Sequence, residues 1–169
     1  TSSGWFAGRS GDDLVNYVKG LNTYEMRNGG GLRNRSSVLG DIINANPEIV
    51  SPRDDFGYGA WSGATTPAWK DALGDSYKAY LTEKSARAPM VYIGANDGML
   101  HGFDASAVSG GAERLAFIPV AAREHLFQLA NPNYSHRYYV DGGITVSDVP
   151  TTATGDWRTG AATTSARLS

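Results

Sequence analysis

Asn96, Asp97 and Gly98 are the residues whose types and spacing best suit chemistry, and they separate two apolar runs. Side chains of this kind bind metal ions, build catalytic turns or close β-hairpins. A calcium loop of the EF-hand type needs oxygen ligands at its first, third and fifth positions and glycine at its sixth. With Gly98 in the sixth position, Ile93 and Ala95 would fill the first and third, so the sequence argues against such a loop.

Catalytic motifs are not found in the sequence either. A serine nucleophile elbow needs Gly-x-Ser-x-Gly between a strand and a helix, whereas the nearest string, GAWSG, places Ser62 one position late. The chain has no cysteine, which excludes disulfides and thiolate sites. His101, His125 and His136 lie on different predicted elements, so we expect them not to converge on one ion. We therefore predict no catalytic residue, no cofactor-binding residue and no metal ligand in this chain.

The third possibility, a hairpin turn, fits the sequence best. Asp-Gly between two strand-like runs is a strong hairpin signal, because glycine adopts a positive φ without steric strain. The side chains of Asn96 and Asp97 bond readily to nearby backbone amides, which also favours a tight turn. We predict a three-stranded antiparallel unit over residues 90–118, with its first turn at residues 96–98 and Asp104 serving the next turn.

The bulk composition indicates one folded globular domain. The 169 residues are 41% hydrophobic and 19% charged, and their formal charge is −2. No basic excess points to nucleic acid, and no apolar run approaches the ~18 residues of a membrane span. The 21 glycines among short apolar runs favour a turn-rich β protein. Because the chain begins at Thr1 without methionine, we expect a piece of a longer product, and the lack of a visible signal peptide carries little weight.

Two longer helices are expected on either side of the first strands. Apolar residues at helical spacing predict one helix over residues 12–21 and another over residues 67–87. Asp12 or Asp13 is expected to cap the first helix, because a short polar side chain there accepts a bond from a free backbone N–H. Thr66 is expected to cap the second helix, since a proline follows it at the first helical position.

Shorter elements complete the prediction. Residues 38–43 and 48–50 are typical of strands or extended segments, residues 122–130 of a short amphipathic helix, and Gly74 of a break in the second long helix. Residues 136–149 repeat the pattern of the first hairpin, with a strand, an Asp-Gly-Gly turn and a second strand. This weak internal repeat has a separation of ~45 residues, which is the size of one propeller blade.

Five strings occur in a fixed order along the chain. They are LRNRSSVLGDIINANP, APMVYIGANDGMLHGFDA, LAFIPV, NYSHRYYVDGGITVSDV and GDWRT. Together they resemble the PilY/PilC-type proteins of type IV pili, from about residue 12 to residue 159. Single strings are weak evidence, because quinoprotein-type propellers have related blades, whereas all five together are specific. The family-motif and turn residues are Arg35, Gly40, Asp41, Gly94, Asn96, Asp97, Gly98, His101, Asp104, His136, Arg137, Asp141, Gly142, Asp148 and Trp157.

The resemblance implies a mainly β fold with helical insertions, a partial quinoprotein-like β-propeller that holds about the first two blades. Residues 1–36 would be a lead-in loop and helix. Residues 37–159 would be the first part of the propeller, with a helical insertion near 67–87. The family continues after GDWRT with an apolar strand, whereas residues 160–169 have no strand pattern here, so we predict an unstructured tail for them. In such a fragment we expect one blade face to lack its neighbour and to make the chain self-associate. The side chains expected on that face are Tyr92, Phe103, Phe117, Tyr138 and Val146.

The function implied by the resemblance is that of a non-enzymatic biogenesis factor and tip adhesin of type IV pili. Such a protein is exported to the bacterial surface, the outer membrane or the pilus tip, where it supports pilus assembly, opposes retraction, and aids twitching motility and attachment. Its partners would be minor pilins or other pilus components, and host or abiotic surfaces. The calcium of this family would bind a loop outside this chain. Two alternatives are a fragment of a quinone-cofactor-dependent dehydrogenase and a generic propeller scaffold in another surface complex.

Overall fold

A computed structural model of the chain describes residues 4–63, 65–152 and 155–163. The helices are α1 (Gly11–Val18), α2 (Ala68–Lys84) and α3 (Val120–Arg123). The strands are β1 (Glu48–Val50), β2 (Met90–Gly94), β3 (Leu100–Asp104), β4 (Glu113–Phe117), β5 (Ile144–Pro150) and β6 (Trp157–Thr163). Among the helices of the described residues, none has the length and apolar character that crossing a bilayer requires. Strands and a few helices make up the fold, as the sequence predicted.

Sheet I consists of β1, β2, β3 and β4 in that order, and all its neighbouring strands are antiparallel. The prediction of a three-stranded unit over residues 90–118 is therefore confirmed, and β1 adds a fourth strand at the edge. Gly98 has a φ of 89° in the turn between β2 and β3. This is the left-handed conformation that the Asp-Gly signal predicted for that turn.

Sheet II consists of β5 and β6, and it corrects two predictions. Ile144 pairs with Thr163 and Pro150 with Trp157, so the prediction of an unstructured tail is wrong for residues 160–163. Backbone pairing with β5 orders this segment although its sequence is poor in large apolar side chains. The rest of the predicted tail, residues 164–169, lies outside the described residues.

The predicted strand over residues 136–140 is the second correction. This segment is a loop in the structure. The strand that pairs with β5 is β6, which follows β5 in the sequence, and not the segment 136–140, which precedes it. The Tyr139 N–H donates to Asn96 Oδ1 at 3.0 Å, so a side chain takes the place of a neighbouring strand. The predicted repeat of the first hairpin at residues 136–149 is therefore wrong.

The helix boundaries also differ from the predicted ones. Ser10 caps α1: its hydroxyl accepts from the Asp13 N–H at 3.2 Å, and the Asp13 carboxylate accepts from the Ser10 N–H at 2.8 Å. This reciprocal capping box replaces the predicted cap by Asp12 or Asp13 alone. α2 continues through Gly74 without a break, and Pro67 stands at its N-cap, because the Thr66 hydroxyl bonds to the Gly63 carbonyl instead.

Two predicted short elements are replaced by irregular structure. Residues 38–43 form a loop without a strand, held by the bonds described below. The predicted helix over residues 122–130 is divided into α3, which ends at Arg123, and a 3-10 turn over Leu126–Ala130. Leu126 and Leu129 of that turn are buried against sheet I and the loop that precedes β5. The predicted apolar face is therefore present, but it is formed by the short helix α3 and the 3-10 turn together.

Candidate functional site

Asp97 connects the β2–β3 turn to the loop before β1. Its Oδ2 accepts from the Gly40 N–H at 2.8 Å, and its Oδ1 accepts from the Met99 N–H at 3.1 Å. The Nε2 of His101 lies 3.0 Å from Oδ2 and 3.1 Å from Oδ1. A side chain on Gly40 would place its Cβ 2.3 Å from the Asp97 backbone nitrogen, so only glycine allows this close approach. The carboxylate therefore fixes both the turn and the neighbouring loop.

Asn96 adds a third segment to this junction. Its Oδ1 accepts from the Tyr139 N–H at 3.0 Å, and its own backbone N–H donates to the Asp41 carbonyl at 3.0 Å. The Asp41 carboxylate lies 3.2 Å from the Asn96 side-chain amide and 2.8 Å from His136 Nε2. Three of the predicted motif segments, which are far apart in sequence, therefore meet at the turn. We call Gly40, Asp41, Asn96, Asp97, His101 and His136 the turn junction.

His101 is buried between two carboxylates. Its Nδ1 lies 2.6 Å from Glu113 Oε1 on β4, while its Nε2 faces Asp97. Burial lowers the pKa of His101, but the hydrogen bonds and the charges of Asp97 and Glu113 outweigh burial and raise that pKa above its ordinary value. A protonated ring donates through both nitrogens, and it then connects the turn to β4.

Asp141 also holds the loop before β1. Its Oδ1 accepts from the backbone N–H groups of Ile43, Asn44 and Ala45 at 3.2, 2.8 and 2.9 Å. Burial raises the pKa of Asp141, but these backbone bonds, with a fourth from the Asn44 side chain, hold the pKa below its ordinary value. The Asp141 carboxylate therefore holds residues 43–45 in place through bonds to their backbone N–H groups, without the backbone pairing of a strand.

A second buried carboxylate, Asp148 of β5, fixes α2 on sheet II. Its Oδ2 accepts from Lys84 Nζ and from the Tyr77 hydroxyl, each at 2.8 Å, and its Oδ1 accepts from the Thr159 hydroxyl at 2.6 Å. Burial first, and then the bond to Asp148, raise the pKa of Tyr77, so the phenol stays protonated and donates. Trp157 lies beside this group and donates from Nε1 to Ser76 Oγ at 3.0 Å.

Sequence reasoning identified Asp148 and Trp157 but missed Tyr77 and Lys84. Both missed residues lie seven positions apart on α2, so they share the helix face that meets sheet II. Lys84 has a relative exposure of 1%, which its position in the last turn of a surface helix does not reveal. The only signal in the sequence was this seven-residue spacing.

The remaining motif residues are placed outside the turn junction. Arg35 donates to Glu25 Oε1 at 2.9 Å and to the Tyr17 and Leu21 carbonyls, so it fastens the segment after α1. Asp104 accepts from the Ser106 N–H at 2.8 Å and pairs with Arg114 at 3.1 Å, and it thus shapes the β3–β4 turn. Arg137 and Gly142 lie in the loop that precedes β5, and Gly94 lies where sheet I packs against that loop.

The arrangement serves to hold segments together. Asp97, Asp141 and Asp148 each accept three or more bonds from the protein itself. Across residues 4–63, 65–152 and 155–163, no group of three or more His, Asp or Glu side chains is placed to bind one metal ion. Two of the three histidines have different carboxylate partners: His101 bonds Asp97 and Glu113, while His136 bonds Asp41. The backbone carbonyl of His125 accepts from the Tyr139 hydroxyl.

Comparison with known proteins gives the same relationship by the sequence profile of a domain and by curated relatives. The sequence profile of the PilY1 β-propeller domain matches residues 39–164. A protein of Xylella fastidiosa called type IV pilus biogenesis factor PilY1 homolog is 40% identical over 144 residues, which cover 85% of this chain and 11% of that protein. The type IV pilus biogenesis factor PilY1 of Pseudomonas aeruginosa strain PAK is 39% identical over 84% of this chain and 11% of its own length.

A solved structure is also similar. The crystal structure of the Pseudomonas aeruginosa PilY1 C-terminal domain shares 34% identity over 59% of this chain and 18% of that chain, with a TM-score of 0.35. The chain spans about a tenth of the length of the curated relatives that it matches. Because the profile extends from the loop before β1 to the end of β6, the chain belongs to the PilY1 β-propeller family, as the five sequence strings predicted.

Proposed function

We propose that this chain is a non-enzymatic part of a type IV pilus biogenesis factor and that it forms about the first two blades of the factor's propeller. Three curated relatives are 38–40% identical to it over 84–85% of its length, and each is called a type IV pilus biogenesis factor or a homolog of one. Those relatives are about ten times longer than the match, so the role of the whole protein is inferred for this chain through its family.

The observation that carries the proposal is the turn junction. Aspartate is a residue type that can serve catalysis or bind a metal ion, but the Asp97 carboxylate accepts bonds from Gly40, Met99 and His101. Asp148 is similarly occupied by Lys84, Tyr77 and Thr159. A carboxylate with this set of donors keeps loops in place and has little capacity left for a substrate. This favours a scaffold over a catalytic centre.

The finer role follows the family. We propose that the factor is exported to the cell surface, the outer membrane or the pilus tip, where it supports pilus assembly, opposes retraction, and aids twitching and attachment. Minor pilins or other pilus components are the proposed partners, together with host or abiotic surfaces. Any calcium is proposed to bind a loop outside this chain, in keeping with the donor sets of the turn junction and Asp148.

The test is deletion of the full-length gene from the bacterium that carries it, followed by complementation. We expect the deletion to remove surface pili, as measured by immunoblotting of the sheared pilin fraction, and to abolish twitching zones. The wild-type gene should restore both, and a gene with Asp97→Ala should restore less than a gene with Asp12→Ala, since Asp12 is exposed on α1. Normal piliation in the deletion strain would refute the pilus role.

A second measurement tests the non-enzymatic part of the proposal. The purified full-length protein is mixed with a quinone cofactor and calcium, and its absorbance and its reduction of an electron-accepting dye are recorded. We expect neither a bound chromophore nor dye reduction. A bound quinone with dye reduction would favour the dehydrogenase alternative, whatever the result of the piliation experiment.

A further inference from the structure

His101 has a carboxylate at each of its two ring nitrogens. Nδ1 lies 2.6 Å from Glu113 Oε1 on β4, and Nε2 lies 3.0 Å from Asp97 Oδ2 in the β2–β3 turn. The His101 side chain is 4% exposed, so water has little access to either nitrogen. A neutral imidazole has one N–H group and one lone pair, whereas the protonated ring has two N–H groups. Both contacts can therefore be hydrogen bonds only while His101 is protonated.

The protein holds the two carboxylates with different firmness. Asp97 also accepts from the backbone N–H groups of Gly40 and Met99, and its side chain is 12% exposed. The side chain of Glu113 is 47% exposed, and its described hydrogen bond is the one to His101. A neutral ring should keep its proton on Nε2, beside the fixed Asp97, and present a lone pair to Glu113. The exposed Glu113 carboxylate can then turn into water, where hydration compensates for the lost bond.

The contact between His101 and Glu113 fastens one end of the edge strand β4. β4 is the last strand in the order of sheet I, and its five residues are all exposed. Its pairing with β3 is irregular between Gly102 and Phe103, and Glu113 pairs with Phe103 at that irregularity. Because an irregular ladder is locally disrupted, the side-chain contact with the buried ring stabilises this end of β4 more than backbone pairing alone would.

We propose that His101 and Glu113 form a pH-sensitive catch, which holds the first residues of β4 on sheet I and opens when the ring loses its proton. In the closed state, one buried ring connects the β2–β3 turn, β3 and β4. In the open state, the beginning of β4 is held by its backbone bonds alone. Local opening is easiest where few buried contacts oppose it, so the pH would set how readily this edge of the sheet opens. The proposal is independent of the pilus role.

The charges around the ring set the direction of the switch. Lys19 of α1 and Arg123 of α3 line the same groove as His101 and Glu113, and these two cations disfavour protonation of the ring. Burial also lowers the pKa of His101, but the hydrogen bonds and charges of Asp97 and Glu113 outweigh burial and raise that pKa. The catch is therefore closed below the ordinary histidine pKa of about 6.5, and it opens as the pH rises through the higher folded value. Lys19 and Arg123 offer the released carboxylate new partners.

The other described pair of a histidine and a carboxylate is not a catch of this kind. His136 Nε2 lies 2.8 Å from Asp41 Oδ2, and the two side chains are 41% and 50% exposed. A neutral ring with its proton on Nε2 makes the same bond, so loss of one proton need not break this contact. A variant of His136 is thus a suitable control for the effect of His101.

Hydrogen exchange in the full-length protein tests the catch. Peptides that contain β4 or β6 are followed by mass spectrometry from about pH 6 to about pH 9, and each rate is divided by that of an unstructured peptide at the same pH. We expect the protection of β4 to fall about tenfold over this range, the change that corresponds to one pH unit in the pKa of His101. The protection of β6 should stay constant. Constant protection of β4, or an equal fall in β6, would overturn the proposal.

Glu113→Gln separates the catch from a general effect of pH. The amide of glutamine can donate to a lone pair or accept from an N–H group, so it can bond Nδ1 of His101 in either protonation state. We expect this variant to keep β4 protected over the whole pH range, with β6 in the same sample reporting that the protein is folded. His136→Gln and Glu124→Gln should show the fall of the wild type, since Glu124 is exposed at the end of α3. A fall that persists in Glu113→Gln, or one that disappears in either control, would contradict the catch.

Discussion

Lys84 at the end of α2 and Asp148 in the middle of β5 form a buried ion pair, with 2.8 Å between Nζ and Oδ2. The two side chains are 2% and 0% exposed, and 64 residues separate them in the sequence. Nζ also donates to the Asp54 carbonyl at 2.9 Å, so the pair joins the helix, the strand and the loop after β1. The helical insertion is thereby part of the β structure and not an appendage to it.

Removal of one partner of this pair should be costly. Lys84→Met leaves the Asp148 carboxylate buried without its cation, which typically costs about 3–5 kcal/mol of unfolding free energy. Urea unfolding of the full-length protein followed by tryptophan fluorescence measures the loss. Lys78→Met on the same helix is the matched control, because its pair with Asp75 is exposed and should contribute less than about 1 kcal/mol. Similar losses in both variants would contradict a structural role for the buried pair.

The turn at Gly98 allows a second prediction, in which strain and steric clash are separated. Gly98→Ala forces a Cβ onto a φ of 89° and 2.2 Å from Leu126 Cδ2, whereas Gly111→Ala meets a similar φ of 87° in open space. Strain alone costs about 1–3 kcal/mol, so Gly111→Ala should lose that amount and Gly98→Ala more. Gly98→Val should lose at least as much as Gly98→Ala. Equal unfolding free energies for the two alanine variants would show that Leu126 moves aside freely.

His101 makes stability depend on pH near neutrality. Its pKa is raised in the folded protein, so its contribution is fully present below the unfolded pKa of about 6.5 and is lost as pH rises through the higher folded pKa. We expect the unfolding free energy to fall across this range above about pH 6.5, and we expect His101→Gln to flatten the profile. His125→Gln is the control variant, since His125 contacts neither Asp97 nor Glu113 in the described bonds.

Asp141 should act in a separate pH window. Its pKa is depressed in the folded protein, so its contribution is present above the unfolded aspartate pKa of about 3.9 and is lost as pH falls through the lower folded value. Asp141→Asn should therefore flatten the acid limb of the pH profile and leave the neutral limb unchanged. Urea unfolding between about pH 2 and pH 9 measures both limbs, and a change in the neutral limb would contradict the assignment.

Local signals in the sequence were sufficient for the hairpin and the two long helices. Asp97-Gly98 fixes a turn through the backbone preference of glycine, and the apolar spacing of α1 and α2 is a property of consecutive residues. The family strings added the fold class. These features depend on contacts close in sequence or on a pattern that several residues carry together.

The features that were predicted wrongly depend on contacts between residues that are distant in the sequence. The segment 136–140 has the apolar alternation of a strand, but Asn96 and Asp41 bind it as a loop. The segment 160–163 has weak strand propensity, but β5 offers an unpaired edge and orders it. The turn junction was likewise invisible in sequence, since Asp97 and Gly40 are 57 residues apart.

The isolated 169-residue chain should self-associate through the side of sheet I that carries Ile49, Val91 and Phe103. The prediction that five side chains share one face is wrong. Tyr92 and Phe117 lie on one side of sheet I and Phe103 on the other, while Tyr138 lies in the loop before β5 and Val146 on sheet II. With Ile49 68% exposed and β4 at the edge of sheet I, both an apolar face and an unpaired strand are available to a second copy. Light scattering across a hundredfold range of concentration should show a rising mean mass. Ile49→Lys should reduce that rise and Val108→Lys should not, because only the former adds charge to this side of sheet I. A monomer that unfolds cooperatively at every concentration would mean that these residues form a self-sufficient domain.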